Sequence, residues 1–235
     1  MGRQWDRSGG NFVRPTAPRW GCSTSHQSLH TMKQVHLQHI LLDASGSMQD
    51  CHQRTVSTLN EQIAALHEVQ KQHPDQEVKL SISDFSDDYR MWFGPKPMGE
   101  IRNISEDQYQ LRGITALYDG LGTLISNTIA HVGEDAPAKG TSISIIVLTD
   151  GYENASRFYS APALKLLMDK LTEKGWEFRF IGADIDPMEV GRSLGMDARR
   201  TRRYRKEHLD DSSMYMADVA RYSIAMKKDR YFSAD

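Results

Sequence analysis

From Val35 onward the chain alternates strand-like and helix-like segments, and this alternation restricts its fold more than any other feature. The clearest strand is SISIIVL at residues 142–148. A nearly continuous run of apolar and β-branched residues is typical of a central parallel strand that is covered on both faces. Strands joined by helices form a right-handed α/β sheet, in which ligands gather beyond the carboxyl ends of the strands. We therefore expect a binding site at that edge.

The same patterns predict the remaining elements. Residues 78–85 alternate apolar and polar side chains, so they are expected to form a half-buried strand, and residues 89–93 a short edge strand before a loop that begins at Gly94. The fold class is therefore α/β, with a mostly parallel central sheet, one antiparallel edge strand and helices on both faces. Further strands are expected at residues 36–43 and 176–181, and helices at residues 56–69, 117–132, 160–174, 186–194 and 212–226.

Composition predicts one domain preceded by a tail. The chain has 235 residues, of which 39% are apolar and 26% charged, which suffices for one sizeable core. Residues 1–31 mix glycine, proline, serine and arginine without an apolar period, so we expect a disordered tail followed by a domain over residues 32–235. Met32 directly precedes the domain, and we expect that translation of the natural protein can begin there.

The sequence also predicts a location. No stretch approaches the roughly 18 apolar residues of a membrane span, and the N-terminus lacks the apolar segment of a secretory signal. The two cysteines, Cys22 and Cys51, form no CxxC pair. We therefore expect a cytoplasmic protein with no membrane contact.

Polar side chains follow two of the predicted strands and precede one helix. Asp43, Ser45 and Ser47 leave the first strand in the stretch DASGSM, Thr115 comes before the second helix, and Asp150 follows the central strand. The side chains of residues 43, 45 and 47 can lie on one side of an extended chain. Two carboxylates and three hydroxyls are oxygen ligands, which suit Mg²⁺ or Mn²⁺ better than zinc.

Three motifs in this order, DASGSM, GITALYDG and LTDG, resemble the von Willebrand factor A (vWA) domain and its metal ion-dependent adhesion site (MIDAS). The signature of that site is D-x-S-x-S with a later threonine and a later aspartate. The resemblance covers residues 33–230 approximately and extends, through LTDGYENASR and GADID, to small stand-alone bacterial and phage-type members. It implies the Rossmann-like three-layer vWA fold. It also implies that Ser45, Ser47 and Thr115 bind the metal directly, while Asp43 and Asp150 act through bound waters and hydrogen bonds.

The function that this resemblance implies is metal-dependent protein binding without catalysis. Neutral hydroxyl ligands leave the cation much of its charge, so an open coordination position favours an Asp or Glu side chain of a partner protein. Relatives of this kind work as adaptors beside AAA+ ATPases, in metal-chelatase-like assemblies or in stress and tellurite-resistance systems. The partner of this chain is expected to be a protein in such an assembly.

Two other functions stay open. One is a metal-dependent hydrolase of the same fold, although the chain lacks the G-x-S-x-G, GxxxxGK[ST] and HExxH motifs, and a hydroxyl-bound metal lacks an obvious general base. The other is a nucleic-acid adaptor that uses the basic run RRTRRYRK at residues 199–206. The net charge of −2 disfavours it, and a salt-dependent shift of a labelled oligonucleotide would support it.

Each motif also has a simpler structural interpretation. DASGSM and Thr115 could be helix caps, and capping is the favoured role of Asp184 and Asp186. Asp119 is expected to be a carboxylate on a helix surface. Three further carboxylates are expected to lie in a solvated turn: Asp84, Asp87 and Asp88.

Overall fold

The computed structural model describes residues 33–183, Leu194 and the backbone of residues 201–204. These residues form six β-strands and three α-helices, together with four short 3-10 helices. In chain order the elements are β1 (Gln34–Asp43), α1 (His52–Gln72), β2 (Gln76–Phe85), β3 (Tyr89–Pro97), α2 (Leu117–Val132), β4 (Thr141–Thr149), α3 (Ala161–Glu173), β5 (Glu177–Ala183) and β6 (Thr201–Tyr204).

The strands form one sheet in the order β3-β2-β1-β4-β5-β6. Only β3 is antiparallel to its neighbour, and all other pairs are parallel. The predicted α/β fold with one antiparallel edge strand is confirmed. Because β1 and β4 are adjacent and parallel at the centre, their carboxyl ends open at the same edge of the sheet.

Two hydrophobic cores cover the two faces of the sheet. Ile40 and Leu42 of β1 pack in the core that contains the buried side of α1. Leu41, which lies between them, packs in the opposite core with α2 and α3. Neighbouring residues of a strand point to opposite faces, so a strand that is covered on both sides is apolar at most positions. This explains the mostly apolar sequence of β4, in which Ile145 to Leu148 are all buried.

The structure corrects the prediction for β2. Its last six residues are all buried, including the polar Ser81 and Ser83, so the strand is not half-buried. The strand lies inside the sheet between β1 and β3, and both of its faces are covered. Ser81 satisfies its hydroxyl by donating a hydrogen bond to the carbonyl of Phe93, at 3.2 Å. A polar residue with a local hydrogen-bond partner can therefore occupy a core position that alternation assigns to solvent.

The structure also extends the sheet at both edges. β3 continues to Pro97 through the segment that was expected to be a loop, and its pairing with β2 is irregular. Proline is tolerated there because an edge strand leaves one row of N–H groups unpaired. At the opposite edge, four residues of the basic run form β6, which the sequence did not predict.

Several predictions fall on other parts of the chain. The tail over residues 1–31, the helix over residues 212–226 and the caps at Asp184 and Asp186 lie outside the described residues. Of the helix expected over residues 186–194, only Leu194 is described, and it is buried. No helix among the described residues is long and apolar enough to cross a membrane.

Candidate metal site

The candidate site lies at the carboxyl edge of the two central strands. Asp43 is the last residue of β1, and Asp150 directly follows the last residue of β4. The two strands are in parallel register up to the pair Leu42 and Leu148. The fold therefore brings together two carboxylates that are more than a hundred residues apart in sequence.

Hydrogen bonds connect these carboxylates to the serines of DASGSM. The backbone N–H of Ser45 donates to Asp43 Oδ1 at 2.8 Å. The hydroxyl of Ser47 donates to Asp150 Oδ1 at 2.6 Å, and it also lies 3.0 Å from the hydroxyl of Ser45. Thr149 donates its hydroxyl to Asp43 Oδ2 at 2.6 Å. The loop after β1 and the end of β4 are thus joined through their side chains.

Thr115 reaches the same place from the loop before α2. Its backbone N–H donates to Asn154 Oδ1 at 3.0 Å, and its carbonyl accepts from the N–H of Asn154 at 3.1 Å. A Cβ atom added to Gly151 would lie 3.0 Å from Thr115 Oγ1 and 3.5 Å from Asp43 Oδ2. All five residues predicted from the sequence therefore lie close together at this edge of the sheet.

The two carboxylates of the site are buried, whereas Ser47 is exposed. Asp43 is 0% exposed and Asp150 is 8% exposed. Burial raises the pKa of Asp43, hydrogen bonds from Thr149 and Ser45 oppose this shift, and the charge of Asp150 adds to it. Among the described residues, the hydrogen-bond donors to Asp43 are all neutral. Two carboxylates in such surroundings are stabilised when a cation binds between or beside them.

The helix-cap interpretation does not account for the hydroxyls. Ser45 precedes a 3-10 helix but makes no capping hydrogen bond with its side chain. The residue at the cap position of α2 is Ala116 rather than Thr115. Within the described part of the chain, no group of three or more His, Cys, Asp or Glu residues could hold a metal. The donor set that remains consists of two carboxylates and three hydroxyls, which fits a hard cation such as Mg²⁺ or Mn²⁺.

Comparisons with solved structures connect this arrangement to known proteins. Proximal thread matrix protein 1 (PTMP1) from the mussel byssus matches 80% of the chain with a TM-score of 0.58 and 18% identity. The match covers 46% of PTMP1, so the chain spans about half the length of that protein. A second PTMP1 structure, with a TM-score of 0.55 and 17% identity over 81% of this chain and 46% of that one, has a zinc-occupied MIDAS motif. The chain has the vWA fold.

Two further solved structures also match the chain. The pilus adhesin SpaC from Lactobacillus rhamnosus GG matches 81% of the chain, with 31% of its own length, a TM-score of 0.56 and 15% identity. The manganese-loaded TRAP protein of Plasmodium vivax matches 76% of the chain, with 71% of its own length, a TM-score of 0.50 and 16% identity. No protein-family model and no curated protein matches the sequence. At these identities the matches show the vWA fold alone. The function of this chain has to be argued from its own residues.

Sequence reasoning missed the residues that hold the loop after Asp150. The backbone N–H groups of Arg157, Phe158 and Tyr159 all donate to the carboxylate of Asp119, at 2.7 to 2.9 Å. Asp119 lies on α2 and is half-buried, in keeping with the expected carboxylate on a helix surface, but its bonds to this loop were not predicted. Glu153 accepts hydrogen bonds from Ala155 and Ser156 and from the N–H of Tyr118 at the start of α2. The two carboxylates fasten this loop to α2.

The prediction of a solvated turn was wrong for Asp84. This carboxylate is 0% exposed and accepts hydrogen bonds from Arg90, Arg112 and the indole of Trp92. Asp87 and Asp88 are exposed, as expected. Arg112 also donates its backbone N–H to the carbonyl of Ala44 at 2.7 Å. The buried ion pair therefore holds the loop that carries Thr115 against the loop that carries Ser45.

Tyr109 holds the end of β1 in place beside the site. Its side chain is fully buried, and its hydroxyl donates a hydrogen bond to the backbone carbonyl of Asp43. Its ring stacks on His52, with 5.1 Å between the ring centroids. Burial raises the pKa of Tyr109 well above its usual value, and the Asp43 charge adds to this, so the hydroxyl stays protonated and remains a donor. The sequence contained no signal for this long-range contact.

Gly151 lies against two of the predicted site residues, Thr115 and Asp43. We expect Gly151→Ala to weaken Mg²⁺ binding, because the new Cβ would press on Thr115 Oγ1 and lie against Asp43 Oδ2. The fold should survive because the contacts are with side-chain atoms that can shift slightly. Titration calorimetry measures the change, and Gly99→Ala is the matched control because nothing lies within 4 Å of its added Cβ. Equal affinities for the two variants would place the cation elsewhere.

Proposed function

We propose that this chain is a metal-dependent protein-binding module. A divalent cation held by Asp43, Ser45, Ser47, Thr115 and Asp150 binds an Asp or Glu side chain of a partner protein. The observation that carries the proposal is the hydrogen bond of 2.6 Å from Ser47 to Asp150, which joins the first and last parts of the signature. This contact brings a hydroxyl of the loop after β1 to the carboxylate that follows β4, as a shared metal site requires.

The roles of the five residues follow from their chemistry. The hydroxyls of Ser45, Ser47 and Thr115 are neutral oxygen ligands. Asp43 orients the loop that carries Ser45 by accepting its N–H, and Asp150 orients the hydroxyl of Ser47. When bound, the cation supplies a positive charge that an incoming carboxylate can reach. Carboxylates that act by orienting ligands in this way commonly change metal affinity by about 10- to 100-fold.

The identity of the metal rests on the donor atoms. A set made entirely of oxygen atoms favours Mg²⁺ or Mn²⁺. Manganese in TRAP and zinc in PTMP1 show that those two proteins bind divalent cations. For this chain we propose Mg²⁺ as the metal, with Mn²⁺ as the alternative.

The wider setting is proposed with the same site. We place the protein in the cytoplasm, as a non-catalytic adaptor in a multiprotein assembly, with an AAA+ ATPase or a stress-response complex as the class of partner. The support is the absence from the sequence of the enzyme motifs named above and of a CxxC pair. Adhesion and matrix proteins among the structural matches agree with a binding role.

The test is a capture experiment on extract from the source organism, with Mg²⁺ and with a chelator. We expect the captured proteins to be lost with chelator and with Ser47→Ala, because both remove the cation. Ser57→Ala is the control, since Ser57 is exposed on α1 and its hydroxyl donates a hydrogen bond to Glu61 on the same helix. If the same proteins bind under all conditions, partner recognition does not use the metal. A screen for phosphatase, esterase and nuclease turnover tests the hydrolase alternative on the same samples.

A further inference from the structure

Exposed apolar side chains gather around the candidate metal site. Five large hydrophobic residues are exposed in the part of the chain that the structure describes. Three of them, Ile114, Tyr152 and Phe158, lie on two of the three loops that form the site. The other two, Met91 and Leu166, lie on β3 and α3. We call Ile114, Tyr152 and Phe158 the apolar rim.

The rim is continuous in sequence with the residues of the site. Ile114 immediately precedes Thr115, and Tyr152 comes two residues after Asp150. Phe158 is at the far end of the same loop and is 87% exposed, more than any other large hydrophobic residue described. The N–H of Phe158 bonds to Asp119 in the first turn of α2, four residues after Thr115, so all three rim residues lie on segments that adjoin the site.

The backbone beneath Phe158 is held in place. Asp119 accepts its N–H at 2.9 Å and also accepts the N–H groups of Arg157 and Tyr159. Glu153 fixes the preceding residues through hydrogen bonds to Ala155 and Ser156. An exposed aromatic residue on such a loop cannot bury itself by local collapse. Its backbone is held before binding, so less backbone entropy is lost when a partner packs against the ring.

The charge beside the rim agrees with an acidic partner. Arg157 is exposed and directly precedes Phe158. Its backbone N–H donates to Asp119 in the first turn of α2 at 2.7 Å, so Arg157 is attached to the helix that follows Thr115. An acidic segment would gain from this positive charge while its apolar residue packs on Phe158.

We propose that the apolar rim determines which acidic segments bind. The partner segment carries an Asp or Glu for the cation and an aromatic or aliphatic residue a few positions away, which packs against Phe158. This inference rests on the proposed function, because it takes the carboxylate to be bound by the metal. Aromatic residues at the centre of an interface commonly carry much of the binding energy.

The test uses a phage-displayed library of random linear peptides and the full chain in Mg²⁺. Bound phage are released first with EDTA and then with acid, which separates metal-dependent from metal-independent binders. We expect EDTA to release peptides that contain both an acidic and an apolar residue. The synthetic peptide should bind Phe158→Ala roughly 10- to 100-fold more weakly, as expected for a lost phenylalanine contact. Phe158→Tyr should retain most of the affinity, and Leu166→Ala, at a similarly exposed apolar residue on α3, should bind like the unchanged protein.

The outcomes separate the two proposals. Peptides that EDTA releases but that bind Phe158→Ala normally would overturn the rim and support the metal function. Peptides that only acid releases and that depend on Phe158 would support the rim as an apolar binding surface while rejecting the metal function and its acidic segment. Enrichment of no sequence in either fraction would count against both. Phe158→Ala should remain folded, because Asp119 accepts a backbone N–H that the substitution leaves in place.

Discussion

Asp43→Ala is expected to reduce Mg²⁺ and Mn²⁺ affinity by about 100-fold, which is the upper range for carboxylates that orient metal ligands. The substitution removes the acceptor for the N–H of Ser45 and for the hydroxyl of Thr149. The loop that presents Ser45 and Ser47 then loses its attachment to the end of β1. The substitution also removes one of the two buried carboxylates whose negative charge favours a cation.

Titration calorimetry with each metal measures this effect. Asp50→Ala is the matched control, because Asp50 is an exposed carboxylate seven residues further along the same segment. The variant's circular dichroism and thermal unfolding without metal must match the unchanged protein, so that lost binding reflects the site. Retained affinity in Asp43→Ala, or equal loss in Asp50→Ala, would reject the assignment of this site.

Asp84→Ala is expected to destabilise the fold by about 3 kcal/mol, at the lower end of the range for breaking a buried ion pair. The fully buried carboxylate holds Arg90, Arg112 and Trp92 at once. The lower value applies because the two arginine side chains are 37% and 24% exposed and can turn toward water. For a domain of this size, such a loss lowers Tm by about 6–12 °C.

Urea denaturation and thermal unfolding test this prediction. Asp88→Ala is the control, because its side chain is 68% exposed and its pair with Arg112 is a surface ion pair. Such pairs contribute about 1 kcal/mol or less. Asp84→Ala should also weaken metal binding, since Arg112 joins the loop of Thr115 to the loop of Ser45. A change in stability no greater than that of Asp88→Ala would contradict the structural role.

The candidate site was largely predictable because its residues lie next to the clearest strands. Asp43 and Asp150 each end an apolar run, and parallel strands bring such ends together whatever the details of packing. The same local reasoning failed for the burial of Asp84 and missed the loop contacts of Asp119. Arg112, one partner of Asp84, is 28 residues away, and the loop bound by Asp119 is 38 to 40 residues away; neither contact lies in register across a strand pair. A carboxylate in a turn or on a helix looks the same in sequence whether it faces solvent or binds a distant loop.

The burial of β2 and the strand at one edge of the sheet were also hard to predict, for a related reason. β2 has polar residues at alternate positions, yet it is buried because it lies between β1 and β3 and both of its faces are covered. β6 lies within a highly charged run that carries no apolar pattern, and pairing with β5 defines it. Strand formation at an edge depends on the neighbour that supplies the hydrogen bonds.

The sequence by itself determined the alternation of strands and helices, the vWA-type order of motifs and the five oxygen-bearing residues at the carboxyl edge. It could do so because apolar periodicity and strand ends are local properties. Only the tertiary structure decided that Asp84 is a buried ion-pair centre, that Asp119 and Glu153 clamp the loop after Asp150, and that Phe158 stays exposed beside the site. Those properties depend on contacts between distant segments, which exist once the sheet has brought the loops together.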